Sequence, residues 1–152
     1  MKKTNESGRS MVEMLGVLAI IGVLSIGGIA GYTLAMNRYR ANEILNAAAL
    51  VAIAATSAEG GSGATRTLAE LGGKEAITLP AIDDDSDITG YANGHVLIKV
   101  NKEYPKVAEL VFKLSGNRSI LPAPGSTLVC VGTAEGKCEI ELDMSASVKK
   151  SS

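Results

Sequence analysis

Tryptophan is missing from this 152-residue chain, and phenylalanine and histidine occur once each. So few rings argue against a stacking platform for bases or an aromatic cofactor box. With one histidine and two cysteines, a zinc site of the usual Cys/His composition has too few ligands. An excess of one charge is also lacking: fifteen basic and sixteen acidic residues leave a net charge of −1. No broad basic face is therefore there to hold nucleic acid. By position, charge itself is what goes missing. None of the charged side chains lies between Met14 and Met36.

That window reads MLGVLAIIGVLSIGGIAGYTLAM, twenty-three residues. As a helix it is about 34 Å long, enough for a hydrocarbon core of ~30 Å. A secretory signal peptide is the rival reading, because Lys2 and Lys3 precede an apolar stretch. Such h-regions are only ~7–15 residues long and end at a small-x-small site. This run is longer and continues into further helical sequence, so it reads as a membrane anchor before a soluble domain. Lys2, Lys3 and Arg9 on one side against Arg38 and Arg40 on the other favour a cytoplasmic N-terminus. Cys130 and Cys138, an even pair in a short exported domain, read as a disulfide made in an oxidising compartment. Two reduced cysteines packed as small hydrophobes are the alternative.

Glu13 stands at the edge of the charge-free window, beyond Met11 and Val12. A carboxylate there is costly and calls for a partner. Two readings fit: an interfacial Glu reaching back to the headgroups, or a charge that meets an amine. Arg9 lies four residues upstream, hence on the same helical face.

The stretch KKTNESG-RSMVEMLGVLAIIGVLS resembles the N-terminus of the type IV prepilin family, which includes the pseudopilins of secretion systems. The resemblance covers roughly residues 1–36. It implies a leader (1–8) ending at Gly8, removed by a dedicated prepilin peptidase on the cytoplasmic side. It further implies N-methylation of the new terminus, Arg9, and pairing of Glu13, the fifth mature residue, with the terminal amine of a neighbouring subunit. Family members usually begin the mature chain with Phe or Met. Arg9 brings a guanidinium besides the α-amine, and that group can snorkel to headgroups while the subunit waits in the membrane.

Within the run, Gly16, Gly22, Gly27, Gly28 and Gly31 are many for a helix. Gly27 and Gly31 form a G-x-x-x-G pair suited to close helix packing, although glycine is also simply common in membrane helices. Relatives often carry a proline near the middle of this helix; here Ala30 stands there, beside Gly27-Gly28. Residues 37–59 continue the helix as an amphipathic half. Ile44, Ala48, Val51 and Ala55 recur at helical spacing, broadened by Ala41, Leu45 and Ala52. Tyr32 and Tyr39, seven apart, sit where a membrane interface would be. Gly60-Gly61-Ser62-Gly63 ends the helix.

The head, residues 60–152, is small enough to need the helix face and a disulfide to complete its core. Residues 67–71 read as a helical turn closed by Gly72-Gly73. A polar loop follows, and then the turn at Gly90 to Gly94 leads into a strand over 95–100. Pro105 opens a helix in which Val107, Leu110, Val111 and Leu114 share a face, ending at Gly116-Asn117. A final hairpin is predicted from strands 127–131 and 138–144, with Cys130 facing Cys138. This order resembles the head of the type IVb pilins, although those have a longer leader and a cysteine where this helix has Val107. The expected fold is thus α+β: a long N-terminal helix, half transmembrane (9–36) and half amphipathic (37–59), packed on a small antiparallel sheet.

Chemical sites in the head are sparse. Asp83-Asp84-Asp85-Ser86-Asp87 has carboxylates at alternating positions that suit calcium, but Ile88 replaces the glycine of an EF-hand loop and no Glu stands at the twelfth position. It reads as a solvated acidic loop. His95 has no second ligand or serine triad nearby in sequence and reads as structural or exposed, and Lys149-Lys150 as a solvated tail. No catalytic residues, metal site or cofactor are expected. The resemblance implies a fibre subunit whose partners are like subunits, the prepilin peptidase and an inner-membrane assembly platform. Its head would be periplasmic before assembly and part of a periplasmic or extracellular filament afterwards. A pseudopilin serving secretion or DNA uptake is the variant within this class. A single-pass anchored periplasmic binding protein or enzyme is the alternative outside it.

Overall fold

The computed structural model describes residues 6–57, 65–73, 79–128, 130 and 136–145. Two α-helices lie wholly among these residues, α1 (Glu6–Ser57) and α2 (Pro105–Ser115). Five strands follow in chain order: β1 (Thr65–Thr67), β2 (Ile88–Tyr91), β3 (His95–Asn101), β4 (Ser119–Leu121) and β5 (Lys137–Asp143). The chain divides into two units, one up to Met36 and one from Asn37.

The first unit consists of the N-terminal part of α1. Each residue from Ser10 to Ala35 is exposed, and the helix reaches a mean hydropathy of 2.2 over eighteen residues, long and apolar enough to cross a membrane. In water, each bare Leu or Ile forgoes about 1.5–3 kcal/mol of burial free energy, so this surface requires lipid or neighbouring chains. Two hydroxyls within the run bond to the helix's own carbonyls. The Ser25 hydroxyl donates to the Ile21 carbonyl at 2.7 Å and Thr33 to Ala30 at 2.9 Å, which lowers the cost of placing them in hydrocarbon.

In the second unit, α1 packs on a five-stranded antiparallel sheet of order β1-β2-β3-β5-β4, giving the α+β architecture expected. Ala41, Ile44, Ala48, Val51, Ala52 and Ala55 are fully buried, as the stripe predicts, and Ala47 joins them. Leu45 is half-buried. Three alternating residues of β3 (Val96, Ile98, Val100) and three of β5 (Cys138, Ile140, Leu142) face the same core. The alanines let the backbones come close. At Gly90 in β2 an added Cβ would lie 2.9 Å from both Val51 Cγ1 and the Val51 carbonyl oxygen, and 3.1 Å from Ala55 Cβ. Gly90→Ala is therefore expected to cost about 1–3 kcal/mol of head stability by overpacking, measured as a lower urea midpoint with little change in slope. A wild-type midpoint would show that helix and sheet can separate freely there.

Three expectations need correction. The segment 127–131 was expected to pair with β5, but Thr127, Leu128 and Cys130 lie outside any strand, and Val129 and Val131 fall outside the described residues. One edge of β5 is taken by β3 along seven consecutive pairs, from His95↔Asp143 to Asn101↔Lys137. The other edge is taken by β4, and Pro122 and Pro124, which lack an N–H, discourage ladder pairing just beyond it. In α2 the buried residues are Val107, Ala108, Val111 and Ser115, while Leu114 is half exposed. Small Ala108 lets the helix roll toward the sheet, and the Ser115 hydroxyl enters because it donates to the Phe112 carbonyl at 2.6 Å. Finally, β2 occupies part of what reads as loop and turn. The turn at residues 67–71 is a 3₁₀ segment, Leu68–Leu71, closed by Gly72 at φ 99°.

Candidate functional site

The N-terminal candidates lie on one continuous helix. Gly8 and Arg9 are within α1, whereas Lys2 and Lys3 fall outside the described residues. Glu13 is exposed, and no side chain among the described residues pairs with it. An ideal Cβ built at Gly16, Gly22, Gly27, Gly28 or Gly31 meets nothing within 4 Å. Gly27 and Gly31, four residues apart, thus leave a bare strip of backbone on one face. Among the described residues, the carboxylate and the glycine strip are both exposed and meet no partner.

The head candidates are used structurally. Cys130 and Cys138 form a disulfide with Cα atoms 4.5 Å apart. Cys138 is the second residue of β5, opposite Val100. His95 Nδ1 lies 3.1 Å from Glu141 Oε1 across the β3–β5 pair. That contact places the histidine beside a neighbouring strand's carboxylate rather than in a ligand cluster.

The acidic loop is tied down more firmly than its sequence suggests. Asp87 is buried, and its Oδ2 accepts the N–H groups of Asp83 and Asp84 at 3.0 and 2.9 Å. Its Oδ1 accepts a hydrogen bond from Lys137 Nζ at 2.7 Å. Asp84 lies 3.6 Å from the same ammonium, and the Asn101 amide donates to both oxygens of Asp83 at 3.0 and 3.1 Å. The bond to Asp87, opposed by desolvation and reinforced by the charges of Asp87, Asp84 and Asp83, raises Lys137 above its ordinary 10.5. An ammonium therefore sits where a hard cation would be sought. Among the described residues no group of three His, Cys, Asp or Glu side chains is arranged to hold a metal. The solvated-loop reading is thereby corrected in part: Asp84 is exposed, but Asp87 is a buried strut.

Sequence reading missed the Asp87–Lys137 pair because fifty residues separate its members. The one local hint is Lys137 itself, a charge directly before a buried cysteine in an alternating strand. A cation–π contact was also missed: the Arg40 guanidinium lies 5.5 Å from the centroid of the Tyr104 ring. It fixes the start of α2 against α1 within the second unit.

No protein-family model, curated protein or solved structure matches the chain.

Proposed function

We propose that the chain is a type IV pilin-like precursor, cleaved after Gly8 and assembled through α1 into a helical fibre. The observation that carries this reading is Glu13. It is a carboxylate with no partner among the described residues, five positions beyond Gly8, at the head of a charge-free run in which every residue from Ser10 to Ala35 is exposed. A chain with that surface must be held by lipid or by copies of the same helix. In the membrane Arg9 and Glu13 stay near the headgroups. In the fibre, Glu13 meets the terminal amine of a neighbour, and two charges that are costly apart become tolerable together. The bare glycine strip at Gly27 and Gly31 lets adjacent helices approach closely.

In this reading the precursor resides in a bacterial inner membrane with its N-terminus cytoplasmic and its head periplasmic. The disulfide favours an oxidising compartment for the head. The chain is a structural subunit rather than an enzyme. The prepilin peptidase and an inner-membrane assembly platform are its processing and assembly partners.

Intact-mass and N-terminal analysis of the protein from membranes tests the proposal. The mature chain is expected to begin at Arg9 and to carry one added methyl group on its α-amine. A chain retaining Met1 in cells that contain the peptidase would remove the reading altogether.

A further inference from the structure

Cleavage after Gly8, the reading on which this inference rests, leaves a mature N-terminal segment whose charges do not balance. Arg9 contributes two positive charges, its guanidinium and the new α-amine, against the one negative charge of Glu13. The guanidinium cannot be relieved by losing a proton, because it stays ionised in proteins. The next charged residues are Arg38 and Arg40, and the next carboxylate is Glu43. Because α1 is one helix from Glu6 to Ser57, Glu43 lies about 45 Å along it from Glu13. Each mature subunit thus carries one excess positive charge at its N-terminal end, with no second carboxylate of its own helix within reach.

A second copy of the chain does not remove that excess. In a polymer of like subunits each Glu13 is used once, against a neighbour's α-amine, and every added subunit brings another guanidinium. A lone guanidinium among apolar helices is costly, and its surroundings here are apolar: Met11, Val12, Leu15 and Leu18 are 71, 68, 66 and 63% exposed. The missing anion needs one negative charge, two oxygens that accept the fork of an arginine, and an apolar body to lie along those side chains. A phosphodiester headgroup on acyl chains has all three. It is also what an arginine at the end of a membrane helix meets before assembly.

We propose that each subunit enters the fibre with one monoanionic phospholipid, whose phosphate pairs with the Arg9 guanidinium while Glu13 pairs with a neighbour's α-amine. The two positive charges of Arg9 then face one carboxylate and one phosphate, and the sum is zero. Leaving the bilayer breaks no arginine–phosphate pair, and the acyl chains cover apolar surface that the helix leaves bare. The headgroup is of the net −1 kind, such as phosphatidylglycerol. A zwitterionic phosphatidylethanolamine brings as much positive charge as negative and leaves the excess in place. Inorganic phosphate supplies charge but covers no apolar surface.

Fibres sheared from cells, freed of vesicles and extracted with chloroform–methanol provide the test, through phosphorus per subunit and mass spectrometry of the lipid. Wild-type fibres are expected to hold about one monoanionic phospholipid per subunit. Arg9→Met keeps the α-amine and Glu13 but removes the excess, and is expected to form fibres with about tenfold less lipid. Ser10→Asp keeps the guanidinium and supplies the missing carboxylate, so it should displace lipid as well. Wild-type fibres that begin at Arg9 yet hold no lipid, or only inorganic phosphate or phosphatidylethanolamine, would overturn the inference and leave the fibre reading standing. So would a second, acidic subunit present in equal amount in place of lipid. Equal lipid in wild type and Arg9→Met would mark carried-over membrane, and cleaved Arg9→Met chains that form no fibres would show that the guanidinium serves assembly in another way; either overturns it. Chains that retain Met1 would remove both readings.

Discussion

Glu13→Ala is expected to yield a protein that is made, inserted and cleaved, yet forms almost no fibres. The argument is one of pairing. In the proposed fibre, each subunit buries a terminal amine beside the carboxylate of a neighbour. Truncating one member of a desolvated charge pair costs about 3 kcal/mol, mostly because the other charge stays buried alone. That loss at each added subunit weakens addition roughly 150-fold, enough to remove a polymer that grows one subunit at a time. Head stability is expected to be unchanged, since no side chain among the described residues pairs with Glu13. Glu13→Asp keeps the charge but shortens the reach, and should recover assembly in part. Electron microscopy of sheared filaments, with immunoblots of membranes for subunit level, provides the measurement. Normal filaments from the alanine variant would end the assembly role of this residue.

The second large effect is expected at the buried strut. Lys137→Met leaves Asp87 Oδ1 without its ammonium in a site where the carboxylate is only 2% exposed. Breaking such a pair from one side costs about 3 kcal/mol, at the low end of the range because Lys137 lies near the surface. For a domain of this size that lowers the melting temperature by on the order of 15 °C. The double variant Asp87→Asn/Lys137→Met should recover part of the loss. Asn can still accept the N–H groups of Asp83 and Asp84, and the only carboxylate that loses its ion pair is the exposed Asp84 rather than a buried group.

The strut also sets an alkaline limit. A lysine raised in the folded state contributes stability that is fully present below 10.5 and lost as the pH climbs through its higher folded value. Wild-type head is therefore expected to lose stability above about pH 10.5 more steeply than Lys137→Met, beyond the loss both share from other lysines. Urea unfolding between pH 8 and 11.5 distinguishes them, and parallel curves would mean that the pair has no net energetic weight.

Much of this architecture was legible where period and composition agree. The helix stripe of Ile44, Ala48, Val51 and Ala55, the β-branched run of β3, the alternation of Cys138, Ile140 and Leu142 in β5, and the proline-opened α2 all announce themselves locally. What stayed hidden depends on distant partners. Gly90 reads as part of a turn, yet it lies in β2 and is small because Val51 and Ala55 press against it. Ser119–Leu121 looks less strand-like than the β-branched 127–131, yet it is the one that borders β5. The face of α2 is set by the sheet beneath it and not by its leucines. Asp87 and Lys137 leave no joint mark in the sequence. At the N-terminus the reverse holds. The Gly8, Arg9 and Glu13 pattern is readable without a fold, because its proposed partners lie on other molecules.

The place of β5 within the sheet has a consequence in time. It is the last described strand of the chain, yet it lies between β3 and β4. A head that emerges from its N-terminal end first therefore holds two unfinished fragments until the final strand arrives. Three apolar residues of β3 and the matching face of α1 wait uncovered during that interval. Closure then comes as a single late insertion, which joins contacts far apart in sequence and so makes folding slow and exposed to misassociation. In the proposed fibre subunit, a membrane-held α1 would keep the half-finished head apart from its neighbours during that interval.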